Sequence, residues 1–399
     1  MLNLKLEVIT LNKKHNKIFL ITPYSIIYSY RATEKLIYTY AIELMKRKYD
    51  VTVLTPNYYF LKMQRVNREG KLYEQRVNTM SIKGIKISLL FDFYFYFGLR
   101  GTQNHIYYLP FGIYNNIFNI IFKFNKSVFI VGSHGFLLDE NKHAFSYHKH
   151  IEQLAKFLLL SYFKFRPKLI HSLYFQILNE DQKTYLIELG IPEDHIFFVP
   201  NFLDFSKFSV KENKFEKLKV LHVGGSDKAV DKLIELIKRL KDNNRSLFNR
   251  IEFHFIGKNQ PKELIKMSES NNNIIVHGFV REEEKKEIMK GCDVLFLPAV
   301  ESFSLTALEG FASGLICIGR PNWILRFMKT VHDDSSYYFE INNYRNFERI
   351  LAYLVLLKKK KQFTKRFRIS IHDATAEKFD KKEIINKLVD MFGSITKFN

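Results

Sequence analysis

The chain has 399 residues and a formal net charge of +21, from 62 Lys and Arg against 41 Asp and Glu, with 46% hydrophobic and 26% charged residues. That length exceeds one ordinary core and predicts two domains, while the apolar content excludes a disordered chain. The charge draws the molecule toward nucleic acid, acidic lipid head groups or phosphorylated substrates; the two cysteines, Cys292 and Cys317, exclude a disulfide scaffold and read as small hydrophobes in buried strands.

Short apolar runs alternate with stretches of helical period along almost the whole chain, the pattern of βα units wound into parallel sheets, so the predicted class is α/β. Residues 18–22 read as a first buried strand, 32–48 as a helix and 51–54 as a second strand entering a Thr-Pro turn. Residues 127–131 predict another strand, 151–162 an apolar helix, and 169–173 and 195–199 further strands. A polar stretch, 204–217, offers nothing to pack and marks the expected domain boundary. The pattern restarts with LKVLHVGG from Leu218, feeds a helix over 230–240, and continues with strands at Ile251–Ile256, 274–277, Val294–Leu297 and 315–318. The expected architecture is two doubly wound, Rossmann-like parallel-sheet domains facing a cleft, over 1–203 and 204–375. A final helix over 376–399 is expected to pack back toward the N-terminal domain. Ligands of such sheets bind beyond the carboxyl ends of the strands.

No signal-peptide pattern and no bilayer-spanning apolar run is present, so the sequence reads as cytoplasmic. Residues 58–68 draw as a basic amphipathic helix, with Phe60, Met63 and Val66 on one stripe and Lys62, Arg65 and Arg68 on the next. That helix fits a membrane interface, and the aromatic runs 91–97 and 107–124 either extend its apolar face or pack the N-terminal core. The basic run 358–368 reads as the solvated end of a helix. His143, His148 and His150 have no cysteine or acidic partner at a metal-ligand spacing, and His332-Asp333-Asp334 reads as a loop, so no metal is expected.

The chemistry concentrates in VLFLPAVESFSLTALEGFASG, from Val294 to Gly314, where a buried strand leads through a Pro-Ala turn into a helix. Glu301 and Glu309 stand eight positions apart. On one helix that spacing separates their Cα atoms by about 12 Å, too far for the nucleophile and acid of a retaining glycosidase at about 5–5.5 Å. Two readings remain: Glu309 accepts hydrogen bonds from a ribose diol while the N–H groups of Ser304 and Leu305 face a diphosphate, or Thr306-x-x-Glu309 is a capping box.

This segment resembles the E-x7-E signature of the retaining family-4 glycosyltransferases, also called glycosyl transferases group 1, of GT-B fold. Further likenesses follow in chain order over nearly the whole sequence: Arg31 to Pro56, VGSHGF from Val131, VPNFLD from Val199, Val223 to Ile234, HGFV from His277, and Glu377 to Phe392. The resemblance implies a retaining glycosyltransferase that moves a sugar from a nucleotide-sugar, UDP- or GDP-linked, to a lipid-linked, glycan or protein acceptor. It implies no cofactor beyond that co-substrate. It assigns His134, Lys228 and Glu301 to catalysis, with Lys228 neutralising the leaving diphosphate. It assigns Gly224, Gly225, Lys228, Phe279, Val280, Glu301, Ser302, Phe303, Ser304, Leu305 and Glu309 to the donor, and Tyr30 and Arg31 to the acceptor side. The expected partners are the nucleotide-sugar, the glycan or lipid-linked acceptor and an anionic membrane face, with no nucleic acid.

Four departures stand against the family pattern, among them Leu315 in place of a common proline. Gly225 occupies the place of the usual phosphate-binding arginine, so a second cation is owed from Arg31 or Arg320. Ser302 and Ser304 replace loop glycines, and Tyr24, Tyr28 and Tyr30 replace the glycines of the first βα loop. The rival reading is therefore a non-catalytic GT-B-fold protein that binds a glycan or a partner.

Overall fold

The computed structural model describes residues 18–21, 32–56, 79–82, 85–90, 105–110, 128–132, 172–213, 216–225, 229–299, 303–320, 324, 328, 337–341 and 343–397. The chain divides into two compact units, Met1–Pro200 with Ile384–Asn399, and Asn201–Glu383.

The first unit holds an eight-stranded sheet of β1 (Ile18–Ile21), β2 (Val51–Pro56), β3 (Thr79–Ile82), β4 (Ile85–Leu90), β5 (Ile106–Leu109), β6 (Val128–Gly132), β7 (Leu173–Ile177) and β8 (Ile196–Phe198), in the order β3-β4-β2-β1-β5-β6-β7-β8. Every pairing is parallel except β3 with β4. Strands β5, β6 and β7 are buried along their length, as a parallel sheet covered on both faces requires. Helix α1 (Ala32–Lys46) buries Leu36, Ile37, Tyr40, Ala41 and Leu44, a stripe of helical period. Helix α2 (Glu180–Glu188) is capped by Asn179, whose side chain accepts from the Gln182 N–H.

The strand expected over 169–173 is instead β7, LYFQI. Gln176 hid it, because a polar residue interrupts the apolar run. The structure satisfies that buried amide: Tyr108 Oη donates to Gln176 Oε1, and Gln176 Nε2 donates to Tyr40 Oη at 3.1 Å and to the Val199 carbonyl at 2.6 Å. Tyr107 and Tyr108 of the 107–124 aromatic stretch lie buried in β5. Residues 111–124 of that stretch, the 58–68 and 151–162 helices and the 91–97 run fall outside the described residues.

The second unit holds β9 (Leu218–Val223), β10 (Ile251–Ile256), β11 (Ile274–Gly278), β12 (Val294–Leu297), β13 (Ile316–Gly319) and β14 (Tyr338–Glu340). They form an all-parallel sheet in the order β11-β10-β9-β12-β13-β14, the dinucleotide-fold order, with its topological switch between β9 and β12. Its longer helices are α3 (Val230–Asn243), α4 (Lys262–Ser270), α5 (Glu282–Lys290), α6 (Leu305–Ala312), α7 (Tyr344–Lys359) and α8 (Lys365–Phe379); α9 (Lys381–Lys397) follows. In α3, Val230, Leu233, Ile234, Ile237 and Leu240 are buried at helical spacing; each such side chain contributes about 1.5–3 kcal/mol of burial. The two doubly wound domains expected from the sequence are thus present.

Two polar stretches depart from expectation. Residues 204–213 are packed onto the second unit. Phe205 is buried edge-on to His372, and Asn213 Nδ2 donates to the Gly291 carbonyl at 3.0 Å and to Asp293 Oδ2 at 3.1 Å. The basic run is not simply solvated either. Lys358 is buried and donates to Asp293 Oδ1, while the fully buried Arg368 donates to the carbonyls of Gly314, Cys292 and Ser313 at 3.2, 2.8 and 3.2 Å. The reason is helical phase: Lys358 continues the inward stripe Phe347, Ile350, Leu351, Leu354, and Arg368 heads the stripe Ile371, Ala374, Thr375, Phe379.

The C-terminal segment is two helices rather than one. Asp380 is extended at φ −63° and ψ 141°, and the Leu203 N–H bonds the Phe379 carbonyl at 3.1 Å where α8 ends. Beyond it, Arg47 Nη2 donates to Asn386 Oδ1 at 3.3 Å, and Phe392 lies against Tyr108 within the first unit. Both cysteines are buried, Cys317 in β13 and Cys292 two residues before β12; burial pushes the Cys292 thiol up to about 12, which removes it as a nucleophile at neutral pH.

Candidate active site

The loops leaving the carboxyl edge of the second sheet open with Gly224 after β9, Gly257 after β10, Phe279 after Gly278 ends β11, and Pro298 after β12. Backbone hydrogen bonds stitch three of these strand ends together. The Gly224 N–H donates to the Ile256 carbonyl at 2.8 Å, and the Gly257 N–H to the Gly278 carbonyl at 2.8 Å. Gln260 Nε2 adds a bond to the Gly224 carbonyl at 3.0 Å. Gly257 sits at φ +151°, and a Cβ there would stand 2.5 Å from the Gly224 carbonyl oxygen, so only glycine permits this approach. Gly225 is buried beside it, and Ala229, left-handed at φ 56°, leads into α3 with no side-chain cap on that helix start.

On the β11 side, Phe279 is 68% exposed, with Lys258 Nζ 4.3 Å from its ring centroid. Val280 follows, and the Lys285 N–H bonds the Arg281 carbonyl at 2.8 Å in the first turn of α5. Beneath this turn His254 and His277 stack with centroids 5.3 Å apart, and His254 Nδ1 lies 3.0 Å from His277 Nε2.

On the β12 side, Ser304 is the N-cap of α6: its backbone is extended and its side chain accepts from the Ala307 N–H at 3.2 Å. Glu309 is consequently the fifth residue of the helix, and Thr306-x-x-Glu309 is not a capping box. Phe303 is buried edge-on to Phe379, and Leu305 is half-buried. Gly310 lets α6 close on the sheet, since a Cβ there would meet Leu295 Cδ2 at 2.5 Å.

Glu309 meets a partner that sequence reasoning missed. Lys285 Nζ lies 2.8 Å from Glu309 Oε1 and 3.0 Å from Glu282 Oε2; the Lys285 and Glu309 side chains are only 13% and 15% exposed. Burial works against the Lys285 ammonium, but the charge and hydrogen bond of Glu309, joined by those of Glu282, outweigh it and raise its pKa above the ordinary lysine value. The run EEEKKE disguises this lysine as part of a solvated face.

The structure therefore brings Gly224 and Gly225 to one strand end, Phe279 and Val280 to the adjoining turn, and links that turn through α5 to Glu309. Ser304 and Phe303 are engaged in capping and packing. Arg320 follows β13 at the same edge, its N–H bonded to the Leu297 carbonyl at 3.1 Å. Tyr30, Arg31, His134, Lys228, Glu301 and Ser302 lie outside the described residues. Among the described residues no three His, Cys, Asp or Glu side chains gather as a metal site, and no helix is long and apolar enough to cross a membrane.

An all-parallel sheet of this order is the doubly wound arrangement whose ligands bind in the crevice beyond the carboxyl ends of the strands, where the glycine-opened loops stand. Residues 204–368 match the family model described as glycosyl transferases group 1. The fold is that of solved GT-B glycosyltransferases. It is similar to sucrose-phosphate synthase from Thermosynechococcus elongatus, at 9% identity and a TM-score of 0.67 over 96% of this chain and 100% of that one. A glycosyltransferase from Rickettsia africae aligns at 12% identity and a TM-score of 0.64 over 97% and 100% of the two chains. HepE of Anabaena, in complex with UDP and glucose, aligns at 12% identity and 0.63 over 95% and 100%. No curated protein sequence matches the chain. The chain thus has a GT-B fold, and its residues 204–368 are similar to the glycosyl transferases group 1.

Proposed function

We propose that this chain is a retaining glycosyltransferase, drawing its sugar from a nucleotide donor held by Asn201–Glu383 and passing it to a glycan, lipid-linked or protein acceptor. The observation that carries the reading is the carboxyl edge of the second sheet, where bare glycine backbone and the uncapped start of α3 lie on one side of the switch point and the α6 carboxylate on the other. In this reading the base lies against Phe279 and Val280, Glu309 accepts from the ribose diol, and the diphosphate meets Gly224, Gly225 and the N–H groups of Ser302 to Leu305. Lys228 then neutralises the charge released, with Arg320 or Arg31 as the second cation, and Glu301 and His134 serve the transferred sugar. The bond from C1 to the diphosphate oxygen breaks and the acceptor oxygen bonds C1 on the same face. The acceptor proton passes to the leaving diphosphate. Fixed donors and cations where that charge appears supply the catalysis. Tyr30 and Arg31 face the acceptor. That HepE was solved with UDP and glucose favours a uridine donor.

We place the acceptor at an anionic membrane face. From Arg349 to His372 the chain has no acidic residue, and Lys359, Lys360, Lys361, Lys365 and Arg366 are exposed near the exposed Tyr353 and Leu356.

A thermal-shift screen against UDP, GDP, ADP and their sugar conjugates tests the donor site; ligand at a hundredfold its Kd adds about 2.7 kcal/mol to the folded state. One nucleotide should raise Tm, and Glu309→Ala should reduce that rise. Silence from every nucleotide, with a control enzyme responding, favours the glycan- or partner-binding rival.

A further inference from the structure

We infer that Lys285 is a positioning residue for Glu309, holding its carboxylate in the orientation that receives the ribose diol of the donor and tying it to the turn that carries Phe279 and Val280. This rests on the reading of Glu309 as the ribose ligand.

Lys285 makes two kinds of contact from one position. Its backbone N–H bonds the Arg281 carbonyl at 2.8 Å, closing the first turn of α5 directly after Val280. Its ammonium crosses to α6, 2.8 Å from Glu309 Oε1, and is steadied by Glu282 Oε2 at 3.0 Å. The two sides of the donor reading are thereby mechanically joined: a shift of the Phe279–Val280 turn carries Lys285 with it, and Lys285 carries the Glu309 carboxylate.

A glutamate on a helix has three rotatable bonds, and ordering it at the moment of binding opposes association; a carboxylate already fixed by a neighbour spares that loss. The ammonium suits the task because a carboxylate offers about four lone-pair sites, enough for a lysine and a diol together. Screening does not dissolve the pair, since both side chains are largely withdrawn from solvent. Glu282, with 51% of its side chain exposed, shares the ammonium from the rim, so the cluster of Lys285, Glu282 and Glu309 keeps one net negative charge for hydroxyl donors.

Calorimetric titration separates positioning from mere support of the fold. UDP, GDP and ADP are each compared with their 2′,3′-dideoxy analogues on wild type, Lys285→Met, Lys285→Arg and Glu309→Ala. The wild type should prefer the hydroxylated form of its nucleotide by tenfold or more. Lys285→Met should reduce that preference to within about threefold while the variant stays folded at the temperature of the titration. Lys285→Arg should restore most of it, and Glu309→Ala should erase it. Loss of the preference in Glu309→Ala together with its full retention in Lys285→Met overturns the role of Lys285 and leaves the ribose reading standing. Retention in Glu309→Ala, or binding of none of the three nucleotides, overturns the ribose reading and this inference with it. Should Lys285→Met fold poorly, Lys285→Gln replaces it under the same criteria.

Discussion

Lys358 Nζ lies 2.8 Å from Asp293 Oδ1, and the two side chains are 6% and 0% exposed. Asp293 also accepts from Asn213 Nδ2 at 3.1 Å and from the Lys219 N–H at 3.0 Å, and Lys358 donates to the Asn213 carbonyl at 2.7 Å. One carboxylate thus ties the segment entering the second unit, strand β9 and helix α7. Removing one member of a buried ion pair strands the other, a loss of about 3–5 kcal/mol. Lys358→Met should lower stability by that order in urea unfolding. Asp293→Asn, which keeps an acceptor, should lower it less, and the double variant should cost clearly less than the sum. Additive losses would show that the two residues do not act as a pair.

Much of this fold is legible in the sequence because a parallel sheet buried on both faces writes itself as short apolar runs, and every described strand of the second unit except the short edge strand β14 falls where such a run stands. The misreadings share a cause, polar residues whose partners are distant in sequence. Gln176 conceals β7 until Tyr40, Tyr108 and Val199 surround it. Lys358 sits among four consecutive lysines, yet its phase relative to Leu351 and Leu354 points inward. At the candidate site the sequence locates Glu309 on its helix, but Ser304 and Thr306 are both capping residue types, and only the extended backbone of Ser304 decides between them. Nothing local distinguishes Lys285 from Lys286, since the difference lies in α6, about 20 residues away.

The histidine pair gives stability a pH dependence of defined sign. Burial, then the charges of His277 and of Lys219, push His254 down to about 4, against the opposing charge and hydrogen bond of Glu252. Burial also lowers His277, with the charge of Glu284 opposing. The unfolded chain titrates His254 near 6.5, so between that value and about 4 the unfolded state binds the additional proton. Stability is therefore full above pH 6.5 and falls as the pH drops through that window, by an amount on the order of 3 kcal/mol. Urea unfolding at about pH 7 and about pH 4.5 should show the wild type losing more stability than His254→Phe over that interval. Parallel losses in the two proteins would remove His254 from the linkage.

In the proposed reading the exposed side of α7 and the start of α8 meets the anionic bilayer. Lys359, Lys360, Lys361, Lys365 and Arg366 are exposed, and each cation close to such a surface contributes about 1 kcal/mol. Tyr353 and Leu356, 45% and 46% exposed, stand at helical spacing with Lys360 and offer apolar side chains to the interface. Apolar tips among the cations favour lipid over nucleic acid, which has phosphate but no hydrocarbon layer to receive them. The protein should sediment with phosphatidylcholine vesicles containing about one third phosphatidylglycerol and not with phosphatidylcholine alone. Lys359→Glu, Lys360→Glu and Lys361→Glu together should abolish that binding. Tyr353→Ser with Leu356→Ser should weaken it most at high salt, where the Debye length of about 3 Å at 1 M leaves the apolar contacts to act alone. Equal binding to neutral vesicles, or binding undiminished by the triple variant, would place any membrane contact elsewhere on the chain.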